Sequence, residues 1–324
     1  MQERLIGWEG LNEYSKNMYR ERYFEEGEDY DKWLVRVSEA YSDNPSHANR
    51  IRGYLKRYYW HPSTPVSSNA GMPEKGLPIS CYTNEVEDSK KGIFSTWEET
   101  NWLGSYGGGI GTTWSNVRGL GERIGKAGKS SGIIPFIKVS DSTTLAVSQG
   151  GLRRASQAVY LDVSHPEILE FIDIRRPTGD SERRSPNIHH GVSISDAFMY
   201  AVADRSSWNL ISPKTKEVVG TVDAFDLWQR ILVSRMETGE PYMFFKDTAN
   251  KLSPADYKIH KRKIKTSNLC SEIMLHTDEN TSGVCCLTSV NLEYYNEWVN
   301  DEKFLEDIHR YTDNILTSFI DLTE

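Results

Sequence analysis

An α/β fold with parallel strands, preceded by a small helical domain, is what this sequence predicts, and three observations carry it. From residue 79 onward, short apolar strands alternate with amphipathic helical stretches, the pattern of strand–helix–strand units. Before that, residues 1–60 carry apolar and aromatic side chains at helical spacing. Between the two lies a loop rich in Ser, Gly and Pro, residues 67–78, which places a domain boundary there. The expected domains are therefore residues 1–76 and 77–324.

Taken in order, residues 30–41 and 47–60 read as helices, with Asp, Asn or Ser near their starts. Residues 61–65, His-Pro-Ser-Thr-Pro, close that region because neither proline can sit in a helix interior. Residues 79–83 read as a strand and 96–105 as a helix. Residues 107–111, Gly-Gly-Gly-Ile-Gly, read as a turn that only glycine allows comfortably. A helix over 132–147 tolerates Pro135 in its first turn. Strands are expected at 158–163, 190–194, 242–245 and 284–290, and helices at 165–175, 196–205, 224–237 and 304–320. Neither internal repeats nor low-complexity segments interrupt the pattern.

Composition narrows the function. The 324 residues suffice for one large or two ordinary domains. A net charge of −8 and a pI of about 5.6 argue against a nucleic-acid partner, although not against free nucleotides. No apolar run approaches a membrane span, and the start lacks the apolar core of a signal peptide, so a cytoplasmic protein is expected. The four cysteines (81, 270, 285, 286) are too few and scattered for a disulfide framework, and no Cys/His spacing suggests zinc or another metal site. In a reducing compartment they are inert core or chemically active.

The most suggestive stretch is 267–273, Ser-Asn-Leu-Cys-Ser-Glu-Ile. In an extended segment, side chains two apart point the same way, so Asn268, Cys270 and Glu272 are expected on one side. A thiol between an amide and a carboxylate suits chemistry in which Cys reacts and Glu moves a proton. The plainer reading is a small strand with a buried Cys and two surface polar groups. Cys81 and Cys285 or Cys286 belong to other expected strands, and strand ends in an α/β fold converge on one face, although Cys is more often a small buried hydrophobe. Residues 148–154, Ser-Gln-Gly-Gly-Leu-Arg-Arg, form either an ordinary exposed connection or a loop touching an anion or a base edge. Gly107–Gly111 lacks the spacing of a phosphate-binding fingerprint, and His189-His190, on opposite strand faces, make a poor metal site.

Asn268-Leu-Cys-Ser-Glu272, with Pro78-Ile-Ser-Cys81, Gly109-Ile-Gly111 and Ser148-Gln-Gly-Gly151 upstream, resembles the catalytic large subunit of class I ribonucleotide reductase, in order and spacing from about Thr64 to Leu292. The resemblance implies the first half of a ten-stranded α/β barrel, of the kind shared with glycyl-radical enzymes, behind a helical domain. It implies reduction of ribonucleotides to deoxyribonucleotides by thiyl-radical chemistry. Cys270 would become the thiyl radical, Glu272 would be the base at the ribose 3′-hydroxyl, and Asn268 would orient the ribose. Cys81 and Cys285 would be the redox dithiol; counting back from Asn291-Leu292 favours Cys285 over Cys286. Thr64, Ser80 and Gly109 fall at positions similar to substrate contacts. Asp88, Ser89 and Arg118 resemble part of the specificity-effector site for ATP and deoxynucleotides, and Gln149 and Arg153 resemble its relay to the substrate base.

By the same resemblance, the chain binds no cofactor or metal directly, and its radical comes from a di-metal small subunit. The expected partners are that subunit, thioredoxin or glutaredoxin, a second large-subunit copy and a complementary C-terminal fragment. The family's N-terminal ATP cone and its second half-barrel are both missing from this sequence, which suggests one piece of a split subunit. A cobalamin-dependent reductase and a non-catalytic nucleotide-binding remnant are the alternatives.

Overall fold

The computed structural model describes residues 5–72, 74–126, 128–148, 154–278 and 280–323. Gln149 and Arg153, the expected relay to the substrate base, lie outside the described residues. The chain divides into two compact units, Met1–Ser80 with Cys285–Glu324, and Cys81–Val284. The boundary expected at 76/77 therefore falls at Ser80, and residues 285–324, expected to continue the second domain, belong with the N-terminal unit.

The reason is visible inside the first unit. Helix Phe304–Thr323 carries an apolar stripe of Phe304, Ile308, Tyr311 and Ile315, which packs with Trp33, Val37, Ile51, Tyr54 and Trp60. Asp307 on the same helix accepts two hydrogen bonds from Arg50 (2.6 and 2.8 Å) and one from Tyr54 (3.1 Å), tying it to helix Pro45–Lys56. Asp29 and Asn44 cap helices Tyr30–Ala40 and Pro45–Lys56 by accepting the amides of Lys32 and His47. Trp60–Pro62 pairs antiparallel with Thr288–Val290, so the expected strand over 284–290 is broken. Pro65 does not end the helical region. It occupies the first turn of helix Thr64–Asn69, where its missing N–H costs nothing.

The second unit holds strands β1 Cys81–Glu85, β2 Gly109–Thr113, β3 Ser156–Asp162, β4 His189–Ile194 and β5 Tyr242–Phe245. Its principal helices are α1 Lys90–Ser105, α2 Ile134–Val147, α3 Asp196–Ala203 and α4 Ala224–Thr238. The strands lie in the order β5-β4-β3-β2-β1 and every pair is parallel, as the alternation requires. Val159, Leu161, Val192 and Ile194 face a core shared with Ile93, Ile137, Phe171, Phe198 and Ile231. Each such buried aliphatic contributes about 1.5–3 kcal/mol.

Register places Cys81, Gly109 and Ser156 in one row and Tyr160, Gly191 and Tyr242 in another, both on the face of the sheet opposite that core. A smaller cluster of Ala158, Tyr160, Phe244, Ile264 and Leu269 covers that face.

Several boundaries differ from expectation for identifiable reasons. Helix α1 starts at Lys90, not 96, because Ser89 caps it through the amide of Gly92 (2.9 Å) and its first turn is polar. Gly109 and Gly111 lie within β2, not in a turn. The helix expected over 165–175 shrinks to Ile168–Phe171, because His165 and Glu167 spend their side chains on loops. An antiparallel hairpin of Ser207–Ile211 and Val218–Asp223 replaces what read as connection. No helix among the described residues is long and apolar enough to cross a membrane.

Candidate active site

The stretch around Cys270 is a strap lying on the β1–β5 face rather than a strand. Two glycines give it a seat. A Cβ on Gly111 would lie 1.9 Å from the carbonyl oxygen of Ser267, and one on Gly109 would lie 2.8 Å from Leu269 Cδ2. Backbone therefore touches backbone at Gly111, and only glycine permits it. Gly109, expected among the substrate contacts, is covered on that face by the Leu269 side chain.

Above this seat the chain reverses. The amide of Ser271 donates to the carbonyl of Asn268 (3.2 Å), and Ser271 has φ +66°. This corrects the expected extended geometry: Asn268 and Glu272 meet because of a turn, not because of strand alternation. Asn268 is fully buried. Its Oδ1 accepts the amides of Glu272 and Ile273, both at 3.1 Å, and its Nδ2 donates to Glu272 Oε1 at 2.8 Å. Ser267 Oγ donates to the carbonyl of Ile273 (2.8 Å) and closes the turn. Cys270, at the apex, is exposed, and so is Glu272.

One further side chain pins the turn from below. Tyr160 Oη donates to the carbonyl of Asn268 at 2.7 Å from a fully buried position. Gly191 makes room for the ring, since a Cβ there would lie 2.5 Å from Tyr160 Cε1. Beside it, Tyr242 stacks on His189 (5.9 Å, 15° between planes). The Glu240 carboxylate accepts from His189 Nδ1, the His190 amide (2.9 Å), His190 Nδ1 (3.1 Å) and Arg175 (3.1 Å). Burial works against the charge, but the two imidazoles and the amide prevail and hold Glu240 at about 2. Burial, the Glu240 charge and the nearby Cys270 thiol together raise Tyr242.

Of the expected cysteines, Cys81 is buried at the start of β1, in register with Gly109 beneath the strap. Thr64, Ser80 and Cys285 belong to the first unit. There Thr64 opens its helix, Ser80 Oγ donates to Ser63 Oγ (2.7 Å), and the amide of Ser80 donates to the carbonyl of Cys285 (3.2 Å). Cys286 packs against the aromatic core of that unit, and burial pushes its thiol up to about 12. That environment suits an inert thiol.

The expected effector residues do come together. Arg118 Nε reaches both Asp88 oxygens at 2.9 Å and Arg118 Nη2 reaches Oδ2 at 2.8 Å, while the Ser89 hydroxyl caps α1. That pairing raises the Arg118 pKa, chiefly through the hydrogen bond to Asp88. Among the described residues, no group of three or more His, Cys, Asp or Glu is placed to hold a metal ion.

A family model described as "Ribonucleotide reductase, barrel domain" matches residues 79–324. The chain belongs to the ribonucleotide reductase family. It is 41% identical over 297 residues to a protein assigned as a ribonucleoside-diphosphate reductase large subunit in Frog virus 3 (isolate Goorha), covering 91% of this chain and 51% of that protein. With the ribonucleoside-diphosphate reductase large subunit of Invertebrate iridescent virus 3 it shares 36% identity over 334 residues, covering 86% of this chain and 52% of that one. Among solved structures, the Actinobacillus ureae class Id ribonucleotide reductase alpha subunit superposes with a TM-score of 0.85 at 29% identity, covering 99% of this chain and 56% of that chain. The chain thus spans about half the length of these relatives.

Membership accounts for the half-barrel character of the β1–β5 sheet. Tyr160, Gly191 and Glu240 give no signal in the sequence, and neither does the meeting of His189 and His190 on one carboxylate. A tyrosine and a glycine in apolar strands look like core and bulge, and only the parallel register shows that they share the face bearing the strap.

Proposed function

We propose that this chain is the catalytic half-barrel portion of a ribonucleoside-diphosphate reductase large subunit, reducing ribonucleotides to deoxyribonucleotides. The observation that carries the reading is the turn at 268–272, which holds the Glu272 carboxylate on the Asn268 amide and leaves Cys270 exposed between them. Cys270, as a thiyl radical, takes the ribose 3′-hydrogen. Glu272 takes the 3′-hydroxyl proton, and Asn268 keeps its carboxylate aimed. Cys81 and Cys285 supply the two electrons and two protons with which the 2′-hydroxyl leaves as water, and end as a disulfide. Thioredoxin or glutaredoxin then reduces it. Thr64 and Ser80 contact substrate. Asp88, Ser89 and Arg118 bind ATP or deoxynucleotide effectors, and Gln149 and Arg153 report effector identity to the substrate base.

The partners in this reading are a radical-generating di-metal small subunit, the remaining half of the barrel and a second large-subunit copy, in the cytoplasm. The test uses the chain assembled with the rest of the barrel, small subunit and reductant. Cys270→Ser should abolish deoxynucleotide formation while nucleotide binding survives, because an alcohol does not replace the thiyl radical. Undiminished product from the variant would overturn the reading.

A further inference from the structure

Residues 119–133 leave the sheet after β2 and return to α2 as a hairpin, with Arg123–Ile124 paired to Gly128–Lys129. Those strands are exposed, so packing alone does not hold the arm. The stem is held by a carboxylate. Glu167, 6% exposed, accepts the amide of Leu120 at Oε2 (3.0 Å) and the amide of Ile133 at both oxygens (2.9 and 3.2 Å). Leu120 and Ile133 are opposite legs of the hairpin, so one side chain bridges the stem. Gly132 makes room, with φ +82° and a Cβ position 2.2 Å from Glu167 Oε1.

The latch is itself anchored. The amide of Glu167 donates to His165 Nδ1 (3.1 Å), leaving His165 Nε2 to donate to the carbonyl of Val117 (2.9 Å). The next residue is Arg118, paired with Asp88. Within the hairpin, Glu122 accepts the amide of Gly119 (2.9 Å) and the hydroxyl of Ser212 (2.7 Å).

We propose that Glu167 is a positioning residue for the effector site: its buried carboxyl latches both legs of the 119–133 hairpin, and its protonation sets how readily that arm lifts. The inference rests on the reading of Asp88, Ser89 and Arg118 as an effector site, since the hairpin springs from Arg118. The titratable and charged groups facing Glu167 are Glu170 on its own turn, Arg183 paired with Glu170, and His165. Burial pushes Glu167 up to about 7, against the pull of the Ile133 and Leu120 amides; Glu170 adds to the rise and Arg183 opposes it. Lifting the arm hydrates the carboxyl and returns it to its ordinary range, so the closed arm binds the proton more tightly than the lifted one. Rising pH therefore favours lifting, roughly tenfold between about pH 6 and about pH 8 for one proton.

The test is hydrogen exchange at the amides of Leu120 and Ile133 in the full chain, corrected for intrinsic rates. Protection should fall about tenfold over that pH range in the wild type. In Glu167→Gln it should be lower throughout and flat with pH. Flat protection in the wild type, or an unchanged slope in Glu167→Gln, overturns the latch; the wild-type series decides even if the variant fails to fold. Added dATP should raise protection of both amides in the wild type but not in Asp88→Ala, whose pH slope persists. A pH slope with no response to dATP supports the latch and sinks the effector-site reading instead.

Discussion

Two segments of the second unit lie outside its main strands, and they are held in opposite ways. The strap around Cys270 is held by shape: backbone against Gly111, Leu269 against Gly109, and a fully buried Tyr160 beneath the carbonyl of Asn268. The 119–133 hairpin is held by polar contacts, through the Glu167 carboxyl on two amides at its stem and the Asp88–Arg118 ion pair. A filled van der Waals seat has one position, since interiors do not deform continuously. A carboxylate on two amides has two, closed and lifted, whose balance a proton or a nucleotide can move. Reacting groups must be placed within about half an ångström, whereas a regulatory arm needs two states close in energy.

Breaking the seat should have the largest effect. Gly111→Ala forces a methyl against the carbonyl of Ser267, and neither backbone can yield cheaply. A loss of about 3 kcal/mol is expected, with Cys270 alkylation by iodoacetamide changed at least severalfold. Gly121→Ala is the counterpart in the hairpin. A Cβ there meets nothing within 4 Å and pays only for φ +78°, about 1 kcal/mol. Thermal unfolding of the two variants, side by side, checks the contrast; equal losses would erase it.

The next effect concerns the margin of the strap's face, where Glu240 gathers His189, His190 and Arg175 beside Tyr242. Glu240→Gln should cost about 2 kcal/mol near neutrality, because charge-assisted hydrogen bonds are replaced by neutral ones. The folded carboxyl sits at about 2, below its ordinary 4.5, so its stabilisation is present above 4.5 and lost as pH falls toward 2. The gap in melting temperature between wild type and variant should therefore close as pH is lowered through that window. A gap constant with pH would mean that the carboxylate's charge is not what holds the cluster.

How much of this was legible beforehand depended on which force places each residue. The strand–helix alternation was readable because each element carries its own periodicity, as in α4 or helix Phe304–Thr323. Asn268, Cys270 and Glu272 stand out by residue type, but their spacing suggests an extended geometry that the turn replaces. Alternating polar residues look the same in a strand and in a turn, and the deciding contact comes from Gly111, far away in the chain. The glycines at 109 and 111 read as a turn in the sequence because a missing Cβ announces freedom, not the backbone that needs the space. Glu167 gave no signal, since a carboxylate after His-Pro looks like the first turn of a helix.

The smallest expected effect is the sharpest test of the shape-held side. Tyr160→Phe keeps the ring that fills the space over Gly191 and removes only the hydroxyl on the carbonyl of Asn268. That carbonyl keeps the amide of Ser271, so no buried acceptor is orphaned, and the loss should be about 1 kcal/mol, or about 3 °C in melting temperature. If the glycine seats position the turn and Tyr160 only braces it, Cys270 alkylation should change by less than about threefold, far below the change in Gly111→Ala. Gly191→Ala separates brace from seat: its Cβ would lie 2.5 Å from Tyr160 Cε1 and must displace the ring itself. It should therefore destabilise more than Tyr160→Phe. Should Tyr160→Phe instead match Gly111→Ala in stability and thiol reactivity, the hydroxyl would be the principal hold, and the strap would depend on a polar contact much as the hairpin does.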